Sequence, residues 1–315
     1  MAVVRSLSPL IRLAVPLLVA CGASGARPID PAPALTNASA EAITADAEQD
    51  LADSTPPSGL DRPQDLDDAL AVLRSDRIDL FRAAIERSEA IGESAEDEDT
   101  RLRAQTMATQ LRLAWGEAEI IVADILQSAT TAIEAELGRV APHRGVGQQR
   151  ARLEQENAQV RAAVVDAKRL SSALRRTGSR RILDNYGNVQ RYLDAFPQHY
   201  LAHRIAADFY RLVGDWGRFD EQVTTLQDLR PDSTGLKFLQ GASAAMRGQR
   251  SDALRFLDQA IDDDRLFTRA RVYRLLAQSD LSAIQAELRS LQEAAPHHQI
   301  VYWAAPLVEQ GYVAR

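Results

Sequence analysis

From residue 63 onward, apolar positions recur at the three- and four-residue steps of an α-helix, and little alternates at the two-residue step of a strand. Pro63 suits a first helical residue, and Leu66, Leu70 and Leu73 form one stripe after it. Ser75-Asp76 is expected to cap a second segment carrying Ile78, Phe81 and Ile85 to Ile91, with Gly92 as its stop. The acidic cluster Glu96 to Asp99 suits the positive end of a third helix, expected over Thr100 to Leu137. In it Met107, Leu111, Ala114, Ala118, Ile121, Ile125 and Ala132 keep helical register. At 1.5 Å per residue that helix is roughly 55 Å long, and Gly138 and Pro142 end it. The next helix, Gln148 to Arg176, places Leu153, Val160, Ala167 and Leu174 seven apart, with Ala163 and Leu170 between them. That heptad seam either packs back on the preceding helix as an antiparallel hairpin or pairs with another molecule as a coiled coil. Thr177-Gly178-Ser179 is expected to break the chain there.

Beyond this break the pattern repeats itself. Ala207, Gly214, Phe219, Val223 and Leu226 align with Gly241, Gly248, Ala253, Leu257 and Ala260, all at one constant offset. Gly214-Asp215-Trp216, Tyr210 and Pro231-Asp232 add a turn with its following aromatic, a first-helix aromatic and a closing turn. Between Tyr200 and Thr268 the chain therefore resembles two tetratricopeptide repeats, helical hairpins that bury their apolar faces by stacking. A third copy, Arg265 to His298, follows at a slightly shorter offset, with Ile284, Leu288, Leu291 and Pro296 echoing the first. Ile182 to Pro197 reads as the second helix of an earlier unit, with Val189, Tyr192 and Pro197 in step. Gln299 to Arg315 is expected to be a capping helix. Departures from the family pattern are Phe219 in place of alanine, Arg265 in place of proline, and Val272 in place of a small residue. The resemblance implies a concave groove lined by first helices that receives a partner peptide or helix. Its inward positions fall on Arg204, Asp208 and Arg211, on Phe238 and Met246, and on Arg269 and Tyr273. An aromatic and Met floor with Arg at the rim suits apolar anchors and carboxylates. The Lys/Asn pattern of chaperone-tail clamps is not matched.

With 45% hydrophobic and 5% aromatic residues, composition supports an all-α fold: a long-helix, coiled-coil-like bundle followed by a short solenoid of hairpins. Only two of the 37 basic residues are lysines, Lys168 and Lys237, a usage that reflects GC-rich coding rather than a binding device. A net charge of −7 argues against a general nucleic-acid binder.

Ahead of the helices lies a different kind of signal. Arg5 and Arg12 precede an apolar run, Leu13 to Ala20, too short to span a bilayer but suited to an export signal. The run leads into Leu18-Val19-Ala20-Cys21, which resembles a bacterial lipobox. The resemblance implies diacylglyceryl attachment to Cys21 and cleavage before it, and two or more acyl chains anchor stably where one does not. Cys21 is the sole cysteine, so the chain holds no internal disulfide. The other reading is an ordinary signal cut after Ala26. Gly22 stands where an inner-membrane retention aspartate would, which favours the outer membrane, with the protein facing the periplasm. From Gly22 to Arg62 come seven acidic residues, two basic residues and five prolines, a composition that suits a tether. Its root-mean-square reach is roughly 35 Å. Asn37-Ala38-Ser39 matches a glycosylation sequon by chance. The expected organisation is thus a signal peptide over 1–20, a lipidated tether over 21–62, a helical bundle or coiled-coil hairpin over 63–176 and repeats over 177–315.

Signatures of catalysis are missing: there is no GxxxxGK[ST] loop, no GxSxG elbow, no HExxH and no cysteine pair for zinc. His199 and His203 are spaced to share a helix face but lack an intervening glutamate, and His297-His298 follows a proline in a turn. Asp262-Asp263-Asp264 has no EF-hand spacing after it, and Arg175, Arg176, Arg180 and Arg181 form a basic cluster. No cofactor or metal is expected. The expected function is a non-enzymatic, lipid-anchored scaffold or assembly factor binding an envelope protein or complex through the groove. The alternative is a periplasmic small-molecule or solute-binding module associated with a transporter.

Overall fold

The computed structural model describes residues 63–139, 148–265, 267–278, 281–295 and 298. Cys21, the expected tether and the expected capping helix lie outside these residues. Among the described residues every regular element is an α-helix. In chain order they are α1 (Leu66–Ser75), α2 (Ile78–Ser94), α3 (Glu98–Arg139), α4 (Gln148–Leu183), α5 (Tyr186–Ala195), α6 (Tyr200–Val213), α7 (Trp216–Leu229), α8 (Thr234–Met246), α9 (Arg250–Asp263), α10 (Thr268–Ala277) and α11 (Leu281–Ala294).

The first two helices pack on α3 through Ala69, Val72, Phe81 and Ala84 against Leu111, Ala114 and Ala118. Pro63 precedes α1 rather than opening it, because Asp65 caps the helix by accepting from the amides of Asp67 and Asp68. Asp76 likewise does not start α2. It ends α1 in the left-handed region, φ 53°, and its carboxylate meets His298 Nε2 at 2.6 Å. Together with Arg74 and Asp264, 2.5 Å apart, this contact ties the end of α1 to the C-terminal helices. Gly92 is no stop, since α2 runs through it to Ser94.

Helix α3 is 42 residues long, about 63 Å at the usual rise. Helix α4 folds back along it, burying Val160, Val164, Leu170 and Ala173, and Ser171 Oγ donates to the Ala123 carbonyl at 2.8 Å. The expected break at Thr177-Gly178-Ser179 does not occur, and α4 continues to Leu183. The reason is tertiary. A Cβ on Gly178 would stand 2.4 Å from the Gly116 carbonyl oxygen, and one on Gly116 would stand 2.7 Å from that of Gly178. The two glycines let α3 and α4 touch backbone to backbone, so Gly178 is a crossing point inside a helix. Just beyond it, Arg181 lies over the Trp115 ring at 3.8 Å and donates to Glu119 at 3.1 Å.

After α5, three helical pairs follow: α6 with α7, α8 with α9, and α10 with α11. Gly214 and Gly248, equivalent positions of the first two pairs, both take positive φ, 75° and 74°, at the turns inside them. Successive first helices pack on one another, α6 on α8 and α8 on α10. Their core is continuous with the long hairpin. One apolar cluster joins Leu113 of α3 and Ile182 of α4 to Ile205, Phe209, Phe238 and Leu239, and another joins Ile125 and Ala129 of α3 to Val272, Ile284, Leu288 and Leu291. Helix α3 therefore lies across the three pairs and is the central element of the fold.

Candidate functional site

Helix α6 carries Asp208 and Arg211 one turn apart, and α10 carries Arg269 and Tyr273 one turn apart, so each pair projects from one helix face. Phe238 of α8 stands between them. Its ring lies 5.7 Å from that of Tyr273, edge to face, and the guanidinium carbons of Arg211 and Arg269 lie 5.7 Å and 5.1 Å from its centroid. All five side chains are buried. The groove positions inferred from the repeat resemblance thus converge on one point, and that point is filled by the chain itself.

The filling group is Glu117, from the middle of α3. Its Oε1 lies 2.7 Å from Arg211 Nη1 and accepts from the Tyr273 hydroxyl, while its Oε2 accepts from Arg269 Nη2. Tyr273 in turn accepts from Arg211 Nη1 at 2.6 Å, and Arg211 Nη2 donates to Asp208 Oδ1. Two guanidiniums thus face two carboxylates. Arg211 Nε makes no hydrogen bond among the described residues. Burial opposes the charged form of Arg211, yet Glu117, Tyr273 and Asp208 hold its pKa well above the ordinary arginine value. Arg269 shifts the same way, burial being outweighed by Glu117 and Asp208. The Tyr273 phenol is pushed up by burial and by Glu117, against the two arginines, and stays protonated to donate.

Asp208 is pulled two ways: burial would raise its pKa, but Arg211 and Arg269 hold it below the ordinary value of 3.8. Its folded pKa is depressed, so its contribution to stability is present above pH 3.8 and is lost as pH falls through the lower folded value. Asp208→Asn is expected to flatten that acid-side loss. The check is urea unfolding at pH 5, 4 and 3 in the wild type and the variant, with a shallower decline of the midpoint in the variant.

The two remaining groove positions sit at the edge. Arg204 is half-buried, its Cζ 3.0 Å from where a Cβ on Gly235 would stand. Met246 is 44% exposed, with its Sδ 3.4 Å from Arg211 Nη1 and 3.9 Å from the Tyr273 hydroxyl. Sequence periodicity missed Glu117 because it tracks one apolar stripe, whereas residues 113–119 are buried all round the helix. The signal available was a Trp-Gly-Glu run, Trp115 to Glu117, inside an otherwise regular helix.

Other residues singled out by the sequence serve packing and capping. His199 caps α6, its Nδ1 accepting from the Leu201 amide at 3.3 Å. His203 is held by Gln222 at 2.8 Å and by the Pro197 carbonyl at 2.9 Å. Asp263 pairs with Lys237 and Asp264 with Arg74. Among the described residues no group of three or more His, Cys, Asp or Glu is placed to hold a metal, and no helix is long and apolar enough to cross a membrane. No protein family matches the sequence, and neither curated proteins nor solved structures gave a match.

Proposed function

We propose that this chain is a non-enzymatic scaffold or assembly factor of the bacterial cell envelope, held to the outer membrane by a lipidated Cys21, with tetratricopeptide-like repeats that bind a protein partner. The long α3–α4 hairpin acts as an internal coiled-coil-like spine, and the partner docks on the rim of the repeat face because α3 occupies its centre. The observation that carries this reading is the exposure of Val213, Met246 and Leu276, which stand near the C-terminal ends of α6, α8 and α10. Exposed apolar side chains at the ends of three neighbouring helices offer a partner apolar area to bury. Against the solute-binding alternative stands the pairing of Glu117, whose two oxygens are already engaged by Arg211, Tyr273 and Arg269.

The test is crosslinked co-purification of the full-length protein from its own membranes, beside the double variant Val213→Glu/Leu276→Glu. Both sites are exposed, so stability should stay within about 0.5 kcal/mol of wild type per change. Loss of a specific partner with unchanged circular dichroism is the expected result; an equally retained partner sinks the rim assignment. Cys21→Ser should also abolish incorporation of labelled fatty acid, and labelling that persists would remove the anchor from the proposal.

A further inference from the structure

Helix α4 is electrically unlike the rest of the chain. Between Gln148 and Leu183 it holds nine basic and three acidic residues, net +6 in a protein of net −7. Its apolar face is spent on α3. On that same side Lys168 and Arg175 turn toward α3, donating to Glu134 and Asp124. What remains is an outward stripe in which Arg161, Val165, Arg169, Ser172, Arg176, Arg180 and Leu183 are all exposed. At 100° per residue these seven fall within an arc of about 100°, and from 161 to 180 they extend for roughly 29 Å. Among the described residues Arg169 and Arg180 have loose local counter-charges, Asp166 at 3.5 Å and Asp184 at 3.7 Å. Val165 and Leu183, 47% and 58% exposed, lie among the arginines.

We propose that this outer face of α4 is a second membrane-contact site that lies flat on an anionic phospholipid surface, in addition to the lipid anchor. The match is one of charge and of shape. A straight row of guanidiniums spaced along a rigid helix fits a plane of phosphates, and guanidiniums pair with phosphate in bidentate geometry. The interspersed apolar side chains are those that enter the headgroup boundary of such a surface. A compact acidic protein site would call for clustered cations rather than a row spread over the length of Arg161 to Arg180.

The contact is read with the full chain carrying Cys21→Ser, which removes the anchor, and with sedimentation of two kinds of vesicle. One is a one-to-two mixture of phosphatidylglycerol and phosphatidylcholine, the other phosphatidylcholine alone. Binding to the anionic vesicles only, weakened by salt, is expected. In an Arg169→Glu/Arg176→Glu variant of the same chain, binding should fall roughly 25-fold or more, from about fivefold for each arginine near an anionic surface. Circular dichroism and the unfolding midpoint should not move, since both side chains are exposed and neither packs in the core. Binding equal on the two vesicle types, absent from both, or unchanged in the double variant would overturn the proposal. Because this reads lipid and not a protein partner, its failure leaves the docking rim standing, and the reverse also holds.

Discussion

Replacing Glu117 with alanine is expected to destabilise the protein by about 3–5 kcal/mol, the usual effect of removing one partner from a buried ion pair. The penalty comes less from a lost attraction than from what is left behind. Arg211 and Arg269 would remain buried with Asp208 as their one paired carboxylate, helped at Arg269 by the more distant Asp76, and the Tyr273 hydroxyl would lose its carboxylate acceptor. Equilibrium urea unfolding followed by far-ultraviolet circular dichroism reads the effect. A loss below about 1 kcal/mol would mean that water reaches these arginines and that α3 is not seated as described.

Gly178→Ala is expected to rank next, with a net loss of about 2 kcal/mol, the upper end of what overpacking a tight contact costs, about 3 kcal/mol, less the helix-forming gain of alanine. An alanine in mid-helix ordinarily gains about 1 kcal/mol over glycine, but here the added methyl would meet a carbonyl oxygen of α3, not a yielding side-chain end. The long helices would have to separate along the crossing. Gly116→Ala should behave alike, for the reciprocal reason. The control is Gly187→Ala in α5, where nothing lies within 4 Å of the new methyl, and a gain of up to about 1 kcal/mol is expected. Thermal unfolding of the three variants checks the ordering; a neutral Gly178→Ala would remove the close crossing.

The sequence carried the helices more faithfully than their ends. Met107 to Ala132 placed α3 because one of its faces stays apolar throughout, and Gly214 and Gly248 placed two turns because only a left-handed residue closes them. Gly178 misled because a glycine near threonine and serine reads as a breaker, and the reason for its presence lies far back in the chain, at Gly116. Asp76 misled in the same manner: an aspartate after serine suggests a helix start, whereas its left-handed backbone and its partner His298 make it an end.

At the candidate site the repeat offset brought Asp208, Arg211, Phe238, Arg269 and Tyr273 to one face, but could not say what lies over it. A groove built to receive a carboxylate and a groove already holding one present the same residues on α6, α8 and α10. Only the path of α3 separates the two, and that path is fixed by contacts distant in sequence, such as the one between Arg269 and Glu117. Burial also accounts for the shift of the proposed docking surface. With Phe238 and Tyr273 sealed beneath α3, the large exposed apolar side chains left at the C-terminal ends of α6, α8 and α10, among the described residues, are Val213, Met246 and Leu276.

Whether α3 is held on the C-terminal helical pairs by Glu117 is tested most directly by a double-mutant cycle of Glu117→Leu and Arg269→Leu, read as unfolding free energies. A coupling of about 2 kcal/mol or more is expected, with the double variant more stable than the sum of the single losses predicts, because each leucine relieves the charge that the other strands. Additivity within about 0.5 kcal/mol, the behaviour of residues that do not touch, would contradict a central helix locked across the three helical pairs.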